Sequence, residues 1–293
     1  MSPVTAENMP DDVTTALIRQ LDGQAQHHKV DSSSCTVKWR QWGKGEPLVL
    51  IHGGHGSWLH WVRNIEALAA QHTVWVPDLP DLPGFGESDT LPGDPHDPDR
   101  QSRLLGVLQD SLDQLLGPTT LIDLAGFSFG GMVAGQLAIQ RGAVRRLALL
   151  GSAGHGGTRR QTTPLINWRV PQRAERLAAM RQNLAAFMLH NDARIDELAL
   201  LVHEQASLAT RYRSKAVARL PVLVQALETF NQPVLLLWGE HDVTAVPEEA
   251  AHALLQNRPE REWELLPGAG HWVQYELAHA VNERLKRWFA SVR

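Results

Sequence analysis

Short apolar runs alternate with longer stretches of helical periodicity along most of this chain. The runs "EPLVLI", "HTVWV", "TTLIDLAG", "VRRLALL" and "QPVLLLWG" are almost continuously apolar, as expected for strands that are buried on both faces. Between two of them, "RQSRLLGVLQDSLDQLL" places its leucines at helical spacing. This alternation predicts an α/β protein with a mostly parallel central sheet that is covered by helices on both faces.

The same pattern divides the chain into three parts. Residues 1–28 are mostly polar and are predicted to form an N-terminal arm. The alternation of strands and helices occupies residues 29–151 and 229–293, which we expect to fold as one core. Residues 152–228 have helical patterns and no strand-like run, so we interpret them as a helical cap inserted after the sixth strand. Such a cap would lie over the carboxyl ends of the strands, where open α/β sheets bind ligands.

Composition narrows the class of protein. The 293 residues are 43% hydrophobic and carry a net charge of −4, which suits one large globular domain and argues against nucleic acid as a partner. A lone cysteine, Cys35, cannot form an internal disulfide. No apolar run approaches the roughly 20 residues of a membrane span, and the N-terminus lacks the apolar run of a signal peptide. We therefore expect a cytoplasmic protein with no membrane partner.

The segment "LAGFSFGGM" raises the first chemical hypothesis. Ser128 lies between Gly126 and Gly130 at the junction of a predicted strand and a predicted helix. The pattern Gly-x-Ser-x-Gly in this context indicates a nucleophile elbow, a sharp turn that exposes the serine hydroxyl above the sheet. The glycines remove side chains that would clash there, and the helix N-terminus favours a developing anion. Ser128 is therefore the candidate nucleophile.

A serine hydroxyl needs a general base, and the base needs an acid to orient it. In a fold of this type the three follow in the order serine, acid, histidine. Asp242 follows the apolar strand in "VLLLWGEHD", with Glu240 as the alternative, and His271 follows the next strand in "WELLPGAGHW". The sequence thus predicts a catalytic triad of Ser128, His271 and Asp242.

Two backbone N–H groups are expected to stabilise the oxyanion of the reaction. One is that of Phe129, directly after the nucleophile, and the other is that of Gly54 in the glycine-rich loop "LIHGGHGSW". His52 in this loop is interpreted as a side chain that organises the loop. The residues predicted to line the substrate pocket are His55, Trp58, Phe127 and Trp272.

No metal site or cofactor is expected. The 14 histidines are scattered, and neither an H-E-x-x-H segment nor a pair of cysteines at zinc-binding spacing occurs. The expected partner is a small molecule that carries an acyl group.

Taken together, these segments resemble those of the α/β-hydrolase superfamily. "HGGHGSW", "DLPGFGES", "GFSFGG", "WGEHD" and "GAGHW" occur in the order typical of that superfamily, from about residue 36 to the end of the chain. The resemblance implies the α/β-hydrolase fold and agrees with the roles assigned above to the triad and the two N–H groups. The serine at position 128 distinguishes the chain from the similar haloalkane dehalogenases and epoxide hydrolases, which have aspartate there.

One segment is similar to a particular branch of that superfamily. "GHWVQYE" looks like the meta-cleavage-product hydrolases, which cleave carbon–carbon bonds in ring-opened aromatic compounds; Trp272, Gln274 and Glu276 match. The loop at Gly54 is poorer in glycine and proline than in that branch, and the branch's cap arginine, which binds the substrate carboxylate, has no clear counterpart here.

The sequence therefore leaves three functions open. The main hypothesis is a serine hydrolase that acts on a carboxylic ester without a cofactor. The second is a carbon–carbon hydrolase of vinylogous diketo acids. Residues 159–220 favour an acidic substrate, since they carry ten arginines and one lysine against five carboxylates, a net charge of +6. The third is a ligand-binding receptor on the same fold, against which the complete triad argues.

Overall fold

The computed structural model describes residues 13–32, 34–81 and 88–290. Its strands are β1 Gln26–Asp31, β2 Thr36–Trp42, β3 Glu46–Ile51, β4 His72–Asp78, β5 Ile122–Phe127, β6 Val144–Leu150, β7 Val234–Gly239 and β8 Arg261–Leu266. They form one eight-stranded sheet in the order β1-β2-β4-β3-β5-β6-β7-β8. β2 is antiparallel to both its neighbours, and every other pair is parallel. The predicted α/β-hydrolase architecture, with a mostly parallel sheet, is confirmed.

Helices cover both faces of this sheet. They are α1 Val13–Gly23, α2 Ile65–Ala69, α3 Arg100–Leu116, α4 Phe129–Arg141, α5 Arg173–Phe187, α6 Glu197–Ala209, α7 Val222–Leu227, α8 Pro247–Leu255, α9 Val273–Glu276 and α10 Ala278–Ala290. Successive strand residues point to opposite faces. In β3, Leu48 and Leu50 join the apolar cluster on one face, while Val49 and Ile51 join the cluster on the other. This double burial explains why the parallel strands are continuously apolar.

The first strand begins inside the segment that was predicted to be an N-terminal arm. In β1 the polar residues are exposed, as His27 and Lys29 are, or half-buried, as His28 is, and only Val30 is buried. It is an edge strand, so it lacks the apolar pattern that reveals the inner strands. Helix α1 also belongs to the folded body, because Ile18 and Leu21 are buried in one of the two apolar clusters. Residues 1–12 lie outside the described part of the chain.

The segment between β6 and β7 contains α5, α6 and α7 and, in the residues described, no strand. Leu223 and Leu227 of α7 belong to the apolar cluster on one face of the sheet. Helices α5 and α6 pack against each other and contribute Leu184 and Val202 to the other cluster. None of the helices in the described ranges is long and apolar enough to cross a membrane.

Candidate active site

Ser128 lies in the turn between the last residue of β5 and the first residue of α4. Its φ and ψ are 54° and −120°, a strained conformation for a residue with a side chain. The chain comes close to itself on both sides of the serine. A Cβ on Gly126 would lie 2.3 Å from the carbonyl oxygen of Gly130, and a Cβ on Gly130 would lie 2.2 Å from that of His52. These positions therefore require glycine, which is the pattern that the sequence shows.

The three side chains predicted as a triad lie within hydrogen-bond distance of one another. His271 Nε2 is 2.9 Å from Ser128 Oγ, and His271 Nδ1 is 2.8 Å from Asp242 Oδ2. Because an ionised carboxylate only accepts hydrogen bonds, Nδ1 carries the proton of the neutral ring and Nε2 is free to accept from the serine hydroxyl. The alternative acid, Glu240, lies outside this chain of contacts; it is exposed and accepts from the N–H of Gly268.

The carboxylate of Asp242 is completely buried and has partners on both oxygens. Oδ1 accepts from the backbone N–H and from the hydroxyl of Thr244, both at 2.7 Å. Burial raises the pKa of Asp242, but the charge and hydrogen bond of His271 and the bonds from Thr244 outweigh it and hold that pKa below its usual value. Asp242 therefore stays ionised at neutral pH, opposite the ring of His271.

Two further residues around the histidine were not identified from the sequence. Gly151, directly after β6, leaves room for the pair, since a Cβ there would lie 3.0 Å from His271 Nδ1. Glu276 is buried and accepts the N–H groups of Gly270, His190 and Asn191. It thus fixes the loop before His271 against the inserted segment. The motif "GHWVQYE" contains Glu276, but this structural use of its carboxylate is visible only in the fold.

The two residues predicted to stabilise an oxyanion lie beside the serine in the same cavity. Gly54 and Phe129 both line it. The backbone N–H groups of these two residues donate to no other described residue, whereas that of the neighbouring Gly53 donates to His60 Nδ1 at 3.1 Å. Both N–H groups therefore remain free to donate to a ligand next to Ser128. His52 accepts from the N–H of Leu79 through Nε2, at 3.0 Å, and so contacts the backbone around the loop.

A cavity of about 720 Å³ opens above Ser128. This volume suits a ligand of drug-like size. Much of its wall, including Phe187, Met188 and His203, comes from the segment between β6 and β7. Ser128 is therefore reached through a chamber whose shape depends largely on that segment.

Of the four residues predicted to line the pocket, only His55 does so. Trp58 is buried against Trp42, with ring centroids 5.6 Å apart. The ring of Phe127 packs beneath His271 at 5.0 Å, and Trp272 donates its Nε1 to the carbonyl of His60 at 3.0 Å. The prediction relied on closeness in sequence, but residues next to one another in a strand or a helix point in different directions. Phe127 therefore supports the ring of His271 from the core side, whereas Trp58 and Trp272 are buried against other core residues.

Several histidines near the cavity are held in the neutral form. Burial lowers the pKa values of His52, His60 and His155, and it lowers that of His203 to about 4. Buried imidazoles resist protonation because the charged form loses its hydration.

Among the residues described, no group of three or more His, Cys, Asp or Glu side chains could hold a metal ion.

The sequence of this chain is similar to the sequences of several known proteins. The sequence profile of a family described as alpha/beta hydrolase matches residues 48–284. The chain is 33% identical over 272 residues to the dihydrolipoyllysine-residue acetyltransferase component of an acetoin cleaving system from Pseudomonas putida, covering 88% of this chain and 67% of that one. It is 28% identical over 254 residues to a 2-hydroxy-6-oxo-6-phenylhexa-2,4-dienoate hydrolase from Burkholderia cepacia, covering 82% and 86% of the two chains.

The fold is also found in solved structures. The esterase RhEst1 from Rhodococcus sp. ECU1013 superimposes with a TM-score of 0.74 over 92% of this chain and 100% of that one, at 20% identity. At this identity the likeness establishes the fold alone.

Proposed function

The chain belongs to the alpha/beta hydrolase family, and we propose that it is a serine hydrolase that cleaves a carboxylic ester through an acyl-enzyme. The observation that carries the proposal is the continuous chain of hydrogen bonds from Ser128, which lines the cavity, through His271 to the buried Asp242. Such an arrangement is what a serine nucleophile requires, because its hydroxyl is unreactive until a base removes its proton.

In the proposed reaction, His271 Nε2 takes the proton of Ser128 Oγ while Oγ attacks the ester carbonyl. The resulting imidazolium is stabilised by Asp242, which stays ionised and does not itself take the proton. His271 then gives the proton to the departing alcohol, and the acyl group remains on Ser128. A water molecule, deprotonated by His271, attacks this acyl-enzyme and releases the acid. No cofactor takes part in either step.

The oxyanion of each tetrahedral intermediate would be bound by the N–H groups of Gly54 and Phe129. Their lack of other partners supports this role, since preorganised donors need no rearrangement as the charge develops. The loss of one such donor typically lowers kcat by about 10²–10³-fold. We further propose that residues 152–228 act as the cap of the site, because they supply much of the cavity wall.

The proposal is tested by measuring the turnover of 4-nitrophenyl esters of two to eight carbons with the wild-type protein and Ser128→Ala. We expect activity in the first and a loss of at least 10³-fold in the second. A fluorophosphonate probe should label Ser128 covalently in the wild type and leave Ser128→Ala unlabelled. Equal turnover by both proteins would show that Ser128 is not the nucleophile.

A second candidate function is hydrolysis of a carbon–carbon bond in a ring-opened dienoate. It is favoured by the relative from Burkholderia cepacia, which is named for such a substrate, and by the match of Trp272, Gln274 and Glu276 to that branch. In this chain, however, Gln274 and Glu276 are buried in helix α9 and do not line the cavity. Turnover of 4-nitrophenyl esters without turnover of a 2-hydroxy-6-oxo-dienoate would exclude this candidate.

A further inference from the structure

The arginine and lysine side chains that line the cavity above Ser128 give its wall a positive charge. Its cationic side chains are Arg159, Arg169, Lys215 and Arg219, and no carboxylate is present among the described residues that line it. All four cations belong to the segment between β6 and β7. A concave surface that carries only positive charge concentrates anions, because its low-dielectric walls focus the field into the cavity.

Other arginines of the same segment have partners within the protein. Arg173 and Arg176 both bind the buried carboxylate of Glu204, at 2.9 and 3.0 Å. Arg160 donates to the backbone carbonyls of Glu240, Asp242 and Ala245. The four cations that line the cavity, in contrast, make no ion pair with another described residue. Exposed arginines elsewhere in the segment, such as Arg181, are also unpaired, but they lie at the surface and not in a cavity.

Arg159 and Arg219 form the most unusual part of this wall. Neither guanidinium makes a hydrogen bond or ion pair with another described residue; Arg159 is half-buried, and Arg219 is exposed. Burial lowers the pKa of Arg159, and the positive charge of Arg219 lowers it further, against the opposing effect of Asp242. Two guanidinium groups that repel each other across a cavity would be relieved by an anion bound between them.

We propose that Arg159 and Arg219 form an anion-binding subsite of the cavity, so that the natural substrate is an ester carrying a second group that is anionic at neutral pH. This inference rests on the proposed function, since it names the substrate class of the same site. Arginine is suited to the task because its planar fork binds carboxylate or phosphate oxygens in pairs.

The activity test compares three esters with the wild type, Arg159→Gln and Arg219→Gln. Mono(4-nitrophenyl) glutarate carries a carboxylate in the acyl part, 4-carboxyphenyl butyrate carries it in the leaving group, and 4-nitrophenyl valerate is neutral. Each variant is expected to lower kcat/KM by about tenfold for at least one anionic ester, as for the loss of a charge-assisted hydrogen bond. The neutral ester should change by less than twofold. Because each ratio compares proteins on one ester, differences in leaving-group reactivity cancel.

Arg181→Gln is the matched control. Arg181 is exposed on α5, in the same segment, and does not line the cavity. Its substitution removes the same charge from the protein as a whole, so it should leave all three kcat/KM values within twofold. A fall on the anionic esters equal to that of Arg159→Gln would attribute the preference to long-range attraction and overturn the subsite.

Binding to Ser128→Ala gives a readout that does not need turnover. Glutarate or inorganic phosphate should raise the melting temperature of this variant, and the anion that gives the larger rise identifies the preferred group. Pentanamide, the neutral control, should leave the melting temperature unchanged. The shift should disappear when Arg159→Gln is added. If wild-type activity depends on Ser128 but the arginine variants leave kcat/KM unchanged for both anionic esters, the subsite is refuted and the proposed function stands. If no ester is hydrolysed, the proposed function fails, and the melting shift alone decides whether the subsite exists.

Discussion

Gly151 offers a sharp test of the site geometry, because the atoms nearest to a Cβ at this position belong to the two residues that should activate Ser128. A Cβ at this position would lie 3.0 Å from His271 Nδ1 and 3.1 Å from Asp242 Oδ2. Its φ is +50°, in the left-handed region. We predict that Gly151→Ala folds but loses about tenfold in kcat, together with about 1–2 kcal/mol of stability.

Two separate effects give these magnitudes. The left-handed conformation costs an alanine roughly 1–2 kcal/mol, a cost that is absent in glycine. The new methyl group is also closer to the ring and the carboxylate than ordinary van der Waals contact, by a few tenths of an ångström. His271 and Asp242 are 2% and 0% exposed, and the histidine ring is enclosed by Phe127 and Phe187. The strain should therefore distort the 2.8 Å hydrogen bond between them. Since a misplacement of about 1 Å costs about 10²-fold in rate, a shift of a few tenths should cost about tenfold.

Gly142→Ala separates the two effects. Gly142 also has a positive φ, +74°, but a Cβ there would contact nothing within 4 Å. This variant should lose about 1 kcal/mol in urea unfolding and keep its kcat on 4-nitrophenyl butyrate within twofold. The reasoning is refuted if Gly151→Ala retains full kcat, or if both variants lose kcat equally, since backbone strain alone would then explain the result.

Four further outcomes follow from individual contacts. Thr244→Val removes one of the two donors to Asp242 Oδ1. Urea unfolding should show a loss of about 1–3 kcal/mol, and kcat should fall several-fold. Thr244→Ser keeps the hydroxyl and should restore both values. Glu276→Gln leaves at least one of three backbone N–H groups without its acceptor, so urea unfolding should show a loss of about 2 kcal/mol. Glu240→Gln, in contrast, should keep kcat within twofold, because Glu240 does not contact His271. The depressed pKa of His203, about 4, means that the unfolded chain gains a proton below pH 6.5 that the folded chain resists. This group should therefore lower stability by at most about 3 kcal/mol as pH drops from 6.5 towards 4. His203→Gln should weaken the pH dependence by that amount in urea titrations at each pH, while the buried His52, His60 and His155 keep the remainder.

The triad candidates could be found from sequence because each occupies a position that the fold dictates. Ser128 is marked by the glycines on which its turn depends, and those glycines are required by contacts between backbone atoms. Asp242 follows the continuously apolar strand β7 and His271 follows the neighbouring strand β8, and the carboxyl ends of parallel strands lie at one edge of the sheet. Residues far apart in sequence therefore lie close together because the order of strands and helices, which the sequence predicts, places their loops at the same edge of the sheet.

The lining of the cavity could not be found in the same way. Trp58, Phe127 and Trp272 adjoin predicted site residues in sequence, yet all three are buried in the core. The direction of a side chain in a tight turn depends on local φ and ψ values that apolar periodicity does not encode. The edge strand β1 was missed for a related reason, since an exposed strand has no continuous apolar run.

The site residues that could be predicted come from the core, whereas the cavity residues that could not be predicted come from the segment between β6 and β7. The proposed nucleophile, base and acid come from loops that follow β5, β8 and β7, and are fixed by the core. The cations of the cavity come from the segment between β6 and β7, and Arg159 and Arg169 lie in stretches without helix or strand. Contacts such as that between Glu276 and the N–H of Asn191 hold this segment to the core without using its cavity side. The cavity wall can therefore change its charge while the triad geometry is kept, which is why the arginine variants should alter the choice of ester and spare the turnover of a neutral one.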